Sequence, residues 1–305
     1  MEYFSINPNN IDSVKSIYVS DDNKNKLTKL VASNFTKVLE ELDLSGCSNI
    51  LGVLPVSKCT NLKKVNISGT KIKNITSLKK CLLLEELIID SNRHNNIQYL
   101  QNIINLKKLV LNCDYININF NLPNLEIIEI YSNRHKLSIS CSTNIFTHTT
   151  IKDFNIEFTI VLMNDFNKLI NLNNLRIKTS RLYFDRVTNI SLLSLEKLVL
   201  INNDEVNSNL LKIFFSCTNI KHLSLSYNDN SDRLNNVDDI LCFTNLEELH
   251  LNNTNIVFTQ EIFNKLNTLK NLKKVYICDV PNKKLNFKPI NINYDIFFSL
   301  LHIDI

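Results

Sequence analysis

The sequence predicts an α/β solenoid: a concave parallel sheet of about 13 strands, backed by a convex face of 3₁₀ segments and short helices. Three observations predict it. The segment Leu39–Ile50 reads L-x-x-L-x-L-x-x-C-x-x-I, and the same pattern recurs along the chain. Its copies keep a spacing of roughly 19 to 28 residues, which chance does not hold over a dozen copies. Between the early copies, apolar residues return at every third position, the period of a 3₁₀ turn.

The motif's own chemistry places each element. Let the first leucine be position zero. Positions zero, three and five face the core, so they are apolar. Leu39, Leu42 and Leu44 fit, as do Leu62, Val65 and Ile67; Leu84, Leu87 and Ile89; Leu106, Leu109 and Leu111; and Leu125, Ile128 and Ile130. The pattern blurs at Ile151, Phe154 and Ile156. It returns at Leu172, Leu175 and Ile177; Leu195, Leu198 and Leu200; Ile220, Leu223 and Leu225; Leu246, Leu249 and Leu251; and Leu272, Val275 and Ile277. Val14, Ile17 and Val19 read as a degenerate first copy. Leu300, Ile303 and Ile305 read as a last strand. Position eight lies where the chain turns out of the strand. A polar side chain there can bond backbone groups of its own and the next coil, which burial would otherwise leave unpaired. Asn92, Asp114, Asn133, Asn203 and Asn228 supply it; Cys47, Thr70, Thr159, Ser180 and Thr254 are smaller substitutes, and Val280 breaks the series.

The return segments set the convex face. Ile72, Ile75, Leu78 and Cys81 recur every third residue, as do Ile97, Leu100, Ile103 and Leu106, which suits 3₁₀ turns. Ile262, Phe263, Leu266 and Leu269 sit nearer an α-helical spacing. No linker divides the chain, so residues 1–305 read as one domain: 1–38 as cap and degenerate first repeat, 39–279 as regular repeats, 280–305 as a C-terminal unit. The last strand presents an edge, which predicts self-association or partner docking there.

Composition narrows the function. The net charge of +4 comes from interspersed cations and anions, and nothing resembles a basic stripe, so nucleic acid is not expected. The N-terminus lacks a signal-peptide pattern and no apolar run is long enough to span a membrane, which predicts a cytoplasmic protein without membrane contact. The eight cysteines then read as free thiols: Cys59, Cys81 and Cys217 sit three residues before a first leucine, in core slots. Asn is abundant, and Lys outnumbers Arg heavily, the usage of an AT-rich genome; most of the Asn excess reads as compositional. Three glycines make no phosphate-cradling loop. His222, His250 and His302 share the predicted concave face with Cys278, but a metal site needs three or four convergent ligands and a nucleophile needs an orienting third group. No enzyme activity, metal or cofactor is therefore expected.

What remains is a face for a protein partner. Positions two, four and six of each strand point into the concavity, because strand side chains alternate. Position four runs Tyr18, Asp43, Asn66, Ile88, Val110, Glu129, Asn155, Arg176, Val199, Ser224, His250, Tyr276, Asp304. Ile88 and Val110 are apolar neighbours there, and Ile127 and Tyr131 join them at positions two and six. Val199 and Ile201 make a second apolar pair. Clustered apolar groups on a sheet face mark contact sites, and Tyr131 has the character of a hot spot. The candidate partner-binding set is Ile88, Val110, Ile127, Glu129, Tyr131, Arg176, Val199, Ile201, His250 and Tyr276. Glu41, Asp43, Glu86 and Asp90 make the early strands acidic; Arg176, Lys178 and Lys197 make the middle basic.

On the units Leu39–Ile50, Leu195–Asn203 and Leu246–Thr254, the chain resembles the intracellular leucine-rich repeat superfamily. Its Asn-, Ile- and Lys-heavy usage is similar to the leucine-rich repeat gene families of insect poxviruses, and AT-rich protists and other large DNA viruses share that usage. The superfamily resemblance implies a horseshoe scaffold for protein–protein interaction. A viral origin implies a host protein as partner, met in the host cytoplasm. Two alternatives stand beside it. The Leu-Ser-Gly-Cys unit resembles repeats of F-box proteins, substrate receptors of ubiquitin ligases, although the residues before Leu39 are too few for an adaptor-binding domain. A horseshoe-type enzyme inhibitor is the other.

Overall fold

A computed structural model describes residues 13–30, 35–90, 97–113, 121–132, 137–139, 148–157, 159–183, 189–203, 208–226, 237–254, 256–277 and 291–297. The features expected at Asn92, Asp114, Asn133, Asn228, Cys278, Val280 and 300–305, His302 among them, lie outside the described residues. The chain forms two compact units, 1–151 and 152–305, both built of repeating coils.

Among the described residues, the main sheet of the first unit has six parallel strands: β1 (Ser16–Tyr18), β2 (Glu41–Asp43), β3 (Lys64–Asn66), β4 (Glu86–Asp90), β5 (Lys108–Asn112) and β6 (Ile127–Tyr131). They pair in chain order, and the register sets Tyr18, Asp43, Asn66, Ile88, Val110 and Glu129 in one row, position four of every coil. Two donors share each entry carbonyl. Lys63 O accepts from Glu85 N at 2.8 Å and Glu86 N at 3.0 Å, so no backbone group is stranded where the strand begins. A four-residue helix, α1 (Asp21–Lys24), follows β1. The outer side holds a parallel pair, Leu51–Val53 with Lys71–Asn74, and the 3₁₀ segments Thr76–Lys80 and Ile97–Asn102.

Among the described residues, the main sheet of the second unit has seven: β7 (Asp153–Glu157), β8 (Asn174–Lys178), β9 (Lys197–Ile201), β10 (His222–Ser224), β11 (Glu248–His250), β12 (Lys274–Tyr276) and β13 (Asp295–Phe297). Position four aligns as Asn155, Arg176, Val199, Ser224, His250, Tyr276 and Phe297. The outer side mixes 3₁₀ segments, Met163–Lys168 and Asp238–Ile240, with α2 (Ser208–Ile213) and α3 (Gln260–Leu266). Helices appear in the longer coils, whose extra residues complete an α turn. Thr259 caps α3 by accepting from Ile262 N at 3.4 Å.

The thirteenth strand is earlier than the leucines suggest. It lies at Asp295–Phe297, with Phe297 where Asp304 was expected. Position zero of this coil is Asn293, so a search for leucines passes over it. Tyr294 fills the interior instead, 6% exposed, and its hydroxyl donates to Phe263 O at 3.2 Å.

Positions zero, three and five are buried in every described coil from Leu39 to Ile277, whereas Val14, Val19 and Ile296 in the end coils are half-buried and Asn293 is exposed. Cys59, Cys81 and Cys217 occupy core slots, and the described cysteines are unbridged. Burial pushes the Cys59 thiol up to about 11 and the Cys81 thiol up to about 12, so both are poor nucleophiles. Cys217 Sγ donates to Ile190 O at 3.3 Å. In the same slot, His148 replaces an apolar residue and accepts from Leu122 N through Nε2 at 2.9 Å.

Asn is more structural than its abundance suggested. The residue just before position zero is repeatedly Asn, and its side chain donates to a carbonyl of the preceding coil: Asn105 to Leu82 O at 2.8 Å, Asn124 to Ile104 O at 2.8 Å, Asn219 to Leu193 O at 2.6 Å and Asn245 to Thr218 O at 2.9 Å. Thr150 and Ser194 do the same with hydroxyls. At position eight Asn203 ties its coil to the preceding one, donating to Ile177 O and accepting from Ser180 N, both at 2.9 Å. The shorter Thr70 and Thr254 donate to carbonyls of their own coil, Ile67 O and Leu251 O.

Candidate protein-binding face

In the first unit the outward side chains of β1 to β4 form a shallow concavity of about 210 Å³. Tyr18, Asp43, Asn66 and Ile88 line it, and the Tyr18 hydroxyl donates to the Glu41 carboxylate. This face is not the acidic one expected. Lys64 lies 3.5 Å from Glu41, and Lys108 lies 3.8 Å from Glu86 and 3.1 Å from Glu129. Position one alternates sign as well: Glu40 pairs with Lys15 at 2.9 Å and Lys63 at 2.7 Å, and Glu85 with Lys107 at 3.1 Å. The two lysines hold the Glu40 carboxyl at about 2. Asp43 and Asp90 are spent on turns, accepting from Ser45 N at 2.7 Å and Gly69 N at 2.6 Å. Opposite charges facing across adjacent strands stabilise the sheet and cancel its field. The alternation was readable in the sequence, but only once the strands were aligned by register rather than grouped by region.

Cancellation leaves the apolar side chains as the distinctive groups. Ile88, Ile127 and Tyr131 are each partly exposed on β4 and β6. The Tyr131 hydroxyl donates to Glu129 Oε2 at 2.7 Å, which holds its ring against the face. Val110 is not part of the exposed set: it is 6% exposed. A valine between strands about 4.8 Å away on either side is overtopped by the longer Ile88 and Glu129 in its row.

The second unit departs further from expectation. Val199 is 2% exposed and Ile201 is 9% exposed, so they are not an exposed pair. In register they sit beside the longer Arg176 and Lys178. Ser224, Ser226 and His250 are buried too. Arg176 and Tyr276 stay partly exposed, and Lys178 pairs with Glu157 at 3.2 Å. The structure brings together a row of rings that sequence reasoning missed. His250 stacks on Tyr276 at 4.1 Å and 7°, and Tyr276 on Phe297 at 4.7 Å and 15°. The signal was present as His250 and Tyr276 in one row, but its third member, Phe297, follows Asn293 where the motif has a leucine. His250 Nε2 donates to Glu248 Oε1 at 2.7 Å, while its buried Nδ1 has no hydrogen-bond partner among the described residues. Burial holds His250 below its ordinary value despite Glu248. Its neutral form suits this setting, because a bare lone pair is cheaper to bury than an unpaired N–H.

Among the described residues, no cluster of three or more His, Cys, Asp or Glu is placed to hold a metal. No described helix is long and apolar enough to cross a membrane.

In-register parallel strands, one to a coil, with 3₁₀ turns and short helices behind, define a leucine-rich repeat solenoid. Among solved structures the chain is similar in fold to an internalin, InlF, of Listeria monocytogenes, with 17% identity over 92% of this chain and 84% of that one and a TM-score of 0.55. A looser likeness joins it to the leucine-rich repeat protein LIC12759 of Leptospira interrogans, with 15% identity over 91% of this chain and 94% of that one and a TM-score of 0.45. No protein-family model and no curated protein matches the sequence.

Proposed function

We propose that this protein is a non-enzymatic scaffold that binds a protein partner on the strand face of its first unit, around β4 to β6. The observation that carries the reading is the pairing pattern. The charges of this face are neutralised against each other, while Ile88, Ile127 and Tyr131 stay partly exposed among them. A face whose ions are already paired gains little from a polyion. A protein surface with an apolar centre and a polar rim matches it better. The usage shared with AT-rich viral genomes supports a host protein as that partner.

The test is affinity capture on the chain carrying Ile88→Ser, Ile127→Ser and Tyr131→Ser together. Val110 is left intact because burial makes it a core residue. The substituted chain should keep the wild-type melting profile and lose the captured protein. Capture unchanged in a folded variant contradicts the reading.

A further inference from the structure

The stretch from Leu44 to Leu84 holds seven lysines and not one carboxylate, a local imbalance that the chain's mild total conceals. Lys63 and Lys64 are neutralised across the strand face by Glu40 and Glu41. The other five, Lys58, Lys71, Lys73, Lys79 and Lys80, all lie on the outer wall, all exposed, and none pairs with a carboxylate among the described residues. The fold concentrates them. Parallel pairing of Leu51–Val53 with Lys71–Asn74 sets Lys71 beside Leu51. The 3₁₀ segment Thr76–Lys80 buries Leu78 and turns Lys79 and Lys80 outward.

Between these cations lie aliphatic side chains in water: Leu51 at 66%, Val53 at 55%, Leu82 at 54% and Leu83 at 47% exposed. Ile104, at 55%, continues the ridge on the next coil, where Asn105 ties the backbone to Leu82 O. We propose that this outer wall of the first unit docks on an anionic lipid bilayer, the lysines meeting headgroup phosphates and carboxylates and the aliphatic ridge entering the acyl boundary. Two features favour a bilayer over another polyanion. The cations are all lysine, point charges without the bidentate fork that nucleic acid recognition favours, and no aromatic ring stands among them to stack on bases. Exposed leucines have no use against a phosphate backbone, but they add apolar burial at a membrane interface, where each nearby lysine adds attraction. This wall is distinct from the strand face proposed for the protein partner, so either proposal can fail alone.

The test is co-sedimentation of the full chain with vesicles of phosphatidylcholine, with and without phosphatidylserine. The wild type should partition onto the anionic vesicles only, less so as salt rises. A chain with Lys71→Glu, Lys73→Glu, Lys79→Glu and Lys80→Glu should bind at least about tenfold more weakly. Leu82→Ser with Leu83→Ser should remove the binding that survives high salt. All these sites are exposed, and unchanged melting verifies folding. Ile88→Ser should bind vesicles like wild type. No partition of the wild type, or equal partition of the lysine variant, overturns the proposal. So does lysine-dependent retention on duplex DNA or polyglutamate without retention on vesicles.

Discussion

At the scale of the residue, the same chemical type does different work at neighbouring positions. Asn203 stitches two coils by bonding Ile177 O and Ser180 N in a buried site, whereas the shorter Thr70 donates to Ile67 O within its own coil. Asn203→Ala removes two buried side-chain-to-backbone hydrogen bonds and should cost about 2–4 kcal/mol, against about 1 kcal/mol for Thr70→Val, measured by urea unfolding. Gly69 is fixed by its backbone: φ is +73°, and a Cβ there would lie 3.0 Å from the Gly46 backbone one coil away. Gly69→Ala should therefore destabilise by more than the roughly 1–2 kcal/mol of left-handed strain alone. His250 gives a pH signature. Burial lowers its folded-state value, so the unfolded chain binds this proton more tightly than the folded one. Stability should then fall as the pH drops through about 6.5, the ordinary histidine value. His250→Phe keeps a ring against Tyr276 and should flatten that slope between about pH 7 and 5 in thermal melts; an unchanged slope would show that another group carries it. These roles were only half legible. Positions zero, three, five and eight repeat as residue types, so they can be read directly. Burial of Val110 and Val199 depends on the height of side chains in adjacent coils, which one coil's sequence does not contain.

At the scale of the element, the strands were the most legible part, because each is set by an apolar pattern repeated in register. The row Tyr18 to Glu129, and the row Asn155 to Tyr276, follow the leucines residue for residue. The pattern is silent where the leucine is missing. β13 starts after Asn293, which has no leucine to mark it. The outer side was legible in kind, since a period of three gave 3₁₀ turns and a wider period gave α3. The outer pair Leu51–Val53 with Lys71–Asn74 was not foreseen, because it forms only through its neighbour and has no motif of its own. The cap of α3 offers a check at this scale: Thr259→Ala should cost about 1 kcal/mol, read by denaturant titration, and Thr259→Ser should restore most of it.

At the scale of the molecule, the repeat fixes a surface rather than a ligand. Each coil supplies one strand, and the residues between the core positions vary freely without disturbing it. On the first unit those residues cancel one another's charge over most of the face and leave Ile88, Ile127 and Tyr131 as its apolar features. The measurement that tests this most directly is site-specific photo-crosslinking, with p-benzoylphenylalanine replacing Tyr131 in one chain and the exposed outer-wall Leu51 in another, each irradiated in lysate. The account predicts one dominant protein adduct at the Tyr131 position, absent at the Leu51 position and abolished by Ile88→Ser with Ile127→Ser. The same adduct at Leu51, or no protein adduct at Tyr131, would contradict it.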